Sequence, residues 1–177
     1  MTIYETDTDL YRRWDGAATW DFVAVGRPTL AAGQITANSP TSNSTTPVGV
    51  YRFDDIPVRA GRLIHIVMTG VRFGASGDNN DAQLRWHYTE DGSTPTGASP
   101  VADGLTHRIV SSAAIASPKI SWTARYRAPA TAVTLSLLLS VARAGGSNTV
   151  LISPDTLPVE ILIEDKGPAP SFTGTTL

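Results

Sequence analysis

The strongest constraint on the fold is a run of alternating side chains over residues 132–142. One face of this run is apolar and consists of Val133, Leu135, Leu137, Leu139 and Val141. The other face is small and mostly polar and consists of Thr134, Ser136, Leu138, Ser140 and Ala142. A period of two residues is typical of a β-strand that buries one face, because successive side chains point to opposite sides. The run therefore predicts a long strand of an antiparallel sheet, with its apolar face turned to a hydrophobic core and its polar face turned away from it.

Seven further strand-like runs are separated by clusters of Gly, Pro, Asn and Asp. They cover residues 48–53, 63–73, 82–89, 105–110, 119–127, 148–152 and 158–164. No stretch of ten residues combines a helical period with capping residues, so we expect almost no helix. Together the runs predict an all-β fold, an antiparallel β-sandwich. The count of eight strands favours a jelly roll, although the strand order stays open.

Composition excludes several classes of function. The chain has 177 residues and no cysteine, which excludes disulfide scaffolds, thiolate metal sites and thiol catalysis. Its net charge of -2 and the lack of a basic stripe argue against a nucleic-acid partner. The acidic opening residues do not resemble a secretory signal, and no apolar stretch is long enough to span a bilayer. We therefore expect synthesis in a cytoplasm and no membrane partner.

The chain divides into four regions on the basis of composition. Residues 1–26 contain two short strand-like runs, 3–5 and 10–14, that predict a small β-hairpin or meander. Residues 27–47 are rich in Ser, Thr, Asn and Pro and predict a linker or loop. Residues 48–166 form the predicted sandwich, and residues 167–177 form a flexible tail.

No residue pattern predicts catalysis, a cofactor or a metal centre. The three histidines, His65, His87 and His107, have no metal-ligand spacing and are interpreted as ordinary strand residues, with His87 on a polar face. The acidic pairs 54–55 and 90–91 are typical of turns, so no general acid and base are assigned. Whether Asp78 and Asp81 hold a cation stays open. The chain is thus expected not to be an enzyme.

The first twenty residues carry a specific motif. Tyr4-Glu5-Thr6-Asp7-Thr8 is followed by Tyr11, by Trp14-Asp15-Gly16 and then by Trp20. This order resembles a hairpin that recurs in tail-fibre, minor-tail and head-fibre proteins of bacteriophages, with one additional residue before Trp20. The resemblance implies an attachment element, in which the turns fold the strands back and four aromatic residues form the packing face: Tyr4, Tyr11, Trp14 and Trp20.

The remainder of the chain resembles virion proteins of actinobacterial phages. The similar segments are residues 50–58, 60–63, 84–89, 91–96 and the closing strand 159–165 before a Gly/Pro tail. This resemblance implies a β-sandwich virion component, commonly a trimer, that decorates the capsid or belongs to the tail or head fibre. Its partners would be copies of itself and capsid or tail proteins, after assembly in the host cytoplasm. Leu138, on the small face of residues 132–142, is the candidate subunit contact.

Two alternative functions stay open. A carbohydrate- or receptor-binding module would need exposed aromatic residues, for which Trp86, Trp122 and Tyr126 are candidates, and its partner would be a host-surface glycan. Their alternation with polar residues favours core packing instead. Residues 88–96 also resemble a strand-and-turn motif in β-sandwich domains of carbohydrate-active enzymes, which supports the sandwich alone. A polysaccharide-degrading enzyme would need a catalytic pair, and none is identified.

Overall fold

The computed structural model describes residues 2–5, 10–14, 20–23, 29–76, 80–109, 119–147, 149–152 and 158–169. Over these residues the fold is all-β, paired strands are antiparallel, and no helix occurs. The predicted antiparallel β-sandwich is confirmed. In chain order the strands are β1 Thr2–Glu5, β2 Leu10–Trp14, β3 Trp20–Val23, β4 Thr29–Ile35, β5 Val48–Val58, β6 Arg62–Val71, β7 Phe73–Ala75, β8 Asn80–Thr89, β9 Val101–Ile109, β10 Ile120–Arg127, β11 Val133–Gly145, β12 Val150–Ile152 and β13 Val159–Pro168.

Two four-stranded sheets form the sandwich. The β6 sheet has the order β10-β6-β13-β4, and the β8 sheet has the order β5-β11-β8-β9. The pairing is nested: β4 pairs with β13, β5 with β11, β6 with β10, and β8 with β9. A long hairpin that is rolled into two sheets produces this nesting, so the strand order supports the predicted jelly roll.

The core lies between the two sheets and consists of the inward face of each strand. In β11 the predicted apolar face turns into this core, where Leu135, Leu137 and Leu139 are fully buried. Across the core, β6 contributes every second residue from Ile64 to Met68. Burial of one large apolar side chain stabilises the folded state by roughly 1.5–3 kcal/mol. These alternating residues therefore determine which face of each strand turns inward.

The sandwich begins earlier in the chain than the composition suggests. Strand β4 lies inside the predicted linker 27–47 and pairs with β13, with Gly33 opposite Ile161. The small residues 31–33 of this strand lack an alternating pattern, but the packing around Tyr51 requires a small residue here. A Cβ on Gly33 would lie 2.4 Å from the Tyr51 hydroxyl oxygen, so only glycine leaves room for the Tyr51 ring. The linker prediction is therefore wrong for residues 29–35.

Other strands also differ from the sequence prediction: β5 runs to Val58 rather than residue 53, and the predicted run 63–73 is divided into β6 and β7. Strand β9 starts at Val101 rather than at residue 105, because Asp103-Gly104 continues the ladder opposite Trp86 and Arg85 instead of forming a turn. The predicted strand at 148–152 is β12, which pairs with β7 in a separate two-stranded ribbon. Strand β13 extends to Pro168, beyond the predicted end of the sandwich at residue 166.

The N-terminal motif forms a sheet of its own. Strands β1, β2 and β3 are ordered β1-β2-β3, so the predicted hairpin has a third strand. The register places Tyr4 opposite Tyr11 and Trp14 opposite Trp20. The turns at residues 6–9 and 15–19, and the side chains of Tyr4, Tyr11, Trp14 and Trp20, lie outside the described residues, so their packing role stays a prediction.

Candidate functional site

The predicted subunit contact lies on the outer face of β11, which consists of Ser136, Leu138, Ser140 and Ala142. Ser136 and Ser140 are 0% and 1% exposed, whereas Leu138 is half-buried beside Gly49. Both serines have partners in the same chain, because the Ser136 hydroxyl accepts a hydrogen bond from the Asp55 amide at 3.3 Å and Ser140 bonds His87. Contacts within the chain therefore explain the small polar residues of this face, and the contact at Leu138 stays a prediction.

His87 is buried rather than on a polar surface, which corrects the sequence interpretation. Its side chain is 1% exposed, because the connection between β8 and β9 covers it. Nδ1 lies 3.0 Å from the Ser99 carbonyl oxygen, and Nε2 lies 2.9 Å from the Ser140 hydroxyl. A carbonyl only accepts, so Nδ1 donates to Ser99, and Nε2 pairs with the Ser140 hydroxyl, which also lies 3.4 Å from the Arg85 carbonyl oxygen. His87 thus fastens the β8–β9 connection to the sheet.

A pocket opens at the end of β8, beneath the same connection. Its volume is about 410 Å³, and its walls are formed by Tyr88, Thr89, Glu90, Asp91, Ser93 and Pro100. Main-chain hydrogen bonds hold the connection at both ends: the Gly92 amide donates to the Thr134 carbonyl at 2.9 Å, and the Tyr88 amide to the Pro100 carbonyl at 2.9 Å. The pocket is an open surface depression, and these two bonds hold the chain segment that borders it.

Gly92 is required at the turn that shapes this pocket. Its φ of 78° is in the left-handed region, which L side chains rarely adopt. A Cβ there would also lie 2.9 Å from the Asp55 Oδ1 atom. The Asp91-Gly92 turn therefore has the residue that the backbone demands, and it places Asp91 on the pocket wall.

Internal hydrogen bonds orient the polar groups of the pocket. The Tyr126 hydroxyl donates to Glu90 Oε1 at 2.8 Å. Asp91 Oδ1 accepts from the Ser93 hydroxyl at 2.6 Å and from the Ser93 amide at 3.0 Å. These Ser93 donors, the hydroxyl first, hold the pKa of Asp91 below its ordinary value. The Thr89 hydroxyl donates to the Ser93 carbonyl. The two carboxylates thus have preset positions as hydrogen-bond acceptors.

Tyr126 lies under the pocket, where its ionisation is suppressed. The side chain is 4% exposed, and its ring centroid lies 5.1 Å from that of Tyr88. Burial, followed by the hydrogen bond to Glu90, raises the pKa of Tyr126 well above its ordinary value. The folded state therefore favours the protonated phenol.

This raised pKa predicts a loss of stability in alkali. The contribution of Tyr126 is fully present below its unfolded pKa of about 10 and is lost as the pH rises above that value. We expect the free energy of unfolding of the native chain to fall more steeply between about pH 10 and 11.5 than that of the Tyr126→Phe variant, as measured by urea unfolding. Equal slopes for the two proteins would contradict the prediction.

The other predicted residues do not converge on one site. His65 lies in β6 opposite Glu164 and Arg125, and the His107 ring stacks on Phe73 at 5.2 Å. Asp54 forms an exposed ion pair with Arg52. Within the described ranges, no group of three or more His, Asp or Glu residues could hold a metal ion. Asp78 lies outside those ranges, and Asp81 is half-buried, so the question of a cation there stays open.

The candidate aromatic platform is not a surface feature. Trp86 is fully buried, Tyr126 is 4% exposed, and Trp122 is half-buried against the core. The expectation of core packing is therefore confirmed for Trp86 and Tyr126. The pocket-facing aromatic residue is instead Tyr88, which sequence reasoning did not select. The sequence did contain a signal for Tyr88, because it lies close before the Asp91-Gly92 turn. A turn at the end of a strand places the last residues of that strand at one end of the sheet.

Comparisons with known proteins give distant structural matches. No protein-family model matches the chain, and no curated protein matches it. A structure of infectious bursal disease virus, Gx strain, is 8% identical with a TM-score of 0.40, and the match covers 89% of this chain and 42% of that one. A structure of the Gt strain is 10% identical with a TM-score of 0.33, and the match covers 88% of this chain and 44% of that one. The crystal structure of the infectious bursal disease virus VP2 subviral particle is 12% identical with a TM-score of 0.32. That match covers 92% of this chain and 46% of that one. The chain spans less than half the length of these proteins.

Across the described parts of the chain, no helix has the length and apolar character for a membrane span.

Proposed function

We propose that the chain is a non-enzymatic structural protein of a bacteriophage virion. Its sandwich would decorate the capsid or form part of the tail or head fibre, after assembly in the host cytoplasm and without a cofactor. The observation that carries the proposal is the nested pairing of β4 with β13, β5 with β11, β6 with β10, and β8 with β9. Eight-stranded jelly rolls occur in viral capsid domains as well as in lectin domains and cupins, so the fold is compatible with the virion class. The two sequence resemblances to phage virion proteins point to the same class.

The N-terminal sheet supports an attachment role within this proposal. The strands β1 and β2 coincide with the strand segments of the phage hairpin motif. Their register opposes the motif's aromatic residues in pairs, Tyr4 with Tyr11 and Trp14 with Trp20. Cross-strand aromatic pairs stabilise a small sheet, which alone is marginally stable in water. Such an element gains stability when it packs on a partner, as a particle anchor would.

The proposed self-association gives a test at Leu138. We expect the native chain to be trimeric by light scattering and the Leu138→Glu variant to be monomeric, since a carboxylate in a packed contact loses its hydration without a partner. The matched control is Leu162→Glu, which places the same charge on the β6 sheet at a residue that is 39% exposed. The control should stay trimeric.

Three results would contradict the contact at Leu138. The native chain could be strictly monomeric, Leu138→Glu could remain trimeric, or Leu162→Glu alone could dissociate, which would place the contact on the β6 sheet. Thermal unfolding of both variants shows whether a change of mass reflects dissociation or loss of the fold.

A further inference from the structure

We propose that the pocket at the end of β8 binds one pyranose ring of a saccharide. The proposal goes beyond the virion role and does not depend on it. The pocket's volume of about 410 Å³ lies in the range of known small-ligand sites, roughly 300–1,000 Å³. Its walls combine apolar surface with polar groups, which is what a sugar ring requires.

The apolar part of the pocket suits the C–H face of a sugar. Tyr88 and Pro100 contribute two flat surfaces, and the tilted ring of Tyr126, 5.1 Å away, fixes the Tyr88 ring from below. Pro100 is held next to Tyr88 because its carbonyl accepts the Tyr88 amide hydrogen bond. A rigid aromatic wall costs little conformational entropy when a ligand packs on it.

The polar part of the pocket offers acceptors to ligand hydroxyls. Glu90 Oε1 is engaged by the Tyr126 hydroxyl, and Asp91 Oδ1 by both Ser93 donors. Each carboxylate therefore keeps a second oxygen, Glu90 Oε2 or Asp91 Oδ2, that these hydrogen bonds do not use. Charge-assisted hydrogen bonds from O–H groups to carboxylates are stronger than those between neutral groups.

The same features favour a saccharide over a simple cation. Three neutral internal donors already occupy one oxygen of each carboxylate, so fewer carboxylate oxygens are left to surround a cation. What remains is a set of acceptors beside apolar walls. A pyranose ring matches this set, because it carries several O–H donors around a C–H face.

The test is a titration of the ¹⁵N-labelled chain of 177 residues with methyl glycosides, followed by NMR. The probes are the methyl glycosides of glucose, galactose, mannose and rhamnose, each raised to tens of millimolar. We expect at least one probe to produce saturable shifts of the amides from Tyr88 to Ser93. Tyr88→Ala and Asp91→Ala should each weaken that binding about tenfold or more. Glu160→Ala, at an exposed residue of the β6 sheet, should leave it unchanged.

Several outcomes would overturn the proposal. One is that no glycoside saturates these amides. Another is that arginine methyl ester saturates them while the glycosides do not, which would assign the pocket to a cationic side chain. A third is that binding persists in both pocket variants. If Tyr88→Ala does not fold, the exposed residues Asp91 and Ser93 decide through Asp91→Ala and Ser93→Ala.

Discussion

Replacement of Asp165 by alanine is expected to lower the free energy of unfolding by about 3–5 kcal/mol. Arg62 Nε lies 2.8 Å from both carboxylate oxygens of Asp165, and the two side chains are only 10% and 11% exposed. Asp165 Oδ1 also accepts the Gly167 amide hydrogen at 2.8 Å. The alanine variant would leave a buried guanidinium without this carboxylate, at the place where the start of β6 meets the end of β13.

Urea unfolding of matched variants measures this effect. The control is Asp54→Ala, which removes the ion pair between Asp54 and Arg52. That pair has a similar N–O distance of 2.9 Å, but the Asp54 side chain is 41% exposed and the Arg52 side chain 49% exposed. Exposed pairs contribute about 0–1 kcal/mol, so the control should change little. The double variant Arg62→Met/Asp165→Leu should recover much of the loss, because it removes both charges together. Similar costs for Asp165→Ala and Asp54→Ala would show that burial of this pair is not important.

Trp86 is the second residue for which we expect a large effect. Its side chain is fully buried between the sheets and contacts the Phe53 ring, with centroids 6.4 Å apart. Trp86→Ala should cost about 3–5 kcal/mol, through lost burial and the cavity that remains. Trp86→Phe should cost far less. Among the described residues, the buried indole Nε1 has no hydrogen-bond partner, and its removal relieves a penalty of roughly 1–3 kcal/mol.

Thermal and urea unfolding of both Trp86 variants separate the cost of lost burial from the penalty of the unpaired indole nitrogen. Trp122→Ala is the matched control, since Trp122 is half-buried and should cost less than Trp86→Ala. If Trp86→Phe were as destabilising as Trp86→Ala, the indole would have a role that its buried, unpaired nitrogen does not explain.

The parts of the fold that follow from alternation could be predicted from the sequence. Residues 133–141 alternate except at Leu138, and the structure turns the apolar face of this run into the core. The same holds for the inward Trp86 and Tyr126. In each case one face of a strand is apolar enough to determine its direction by burial alone.

Features that depend on distant partners could not be predicted in this way. Strand β4 has small residues at its centre, residues 31–33, and it pairs with β13 while Gly33 leaves room for the ring of Tyr51. His87 has a polar side chain that is buried because Ser99, twelve residues away in the sequence, returns over it. The pocket likewise requires Tyr126 of β10 beneath Tyr88 of β8. These pairings lie outside the local periods that a single sequence displays.

The most direct test of the proposed virion role is the protein composition of purified particles of the phage that is proposed to encode this chain. Quantitative mass spectrometry of particles purified through a density gradient should find the chain in a fixed ratio to the major capsid protein. Antibody labelling should then place it on the capsid or on the tail. A chain that accumulates in the lysate but is absent from the particles would contradict the proposed function.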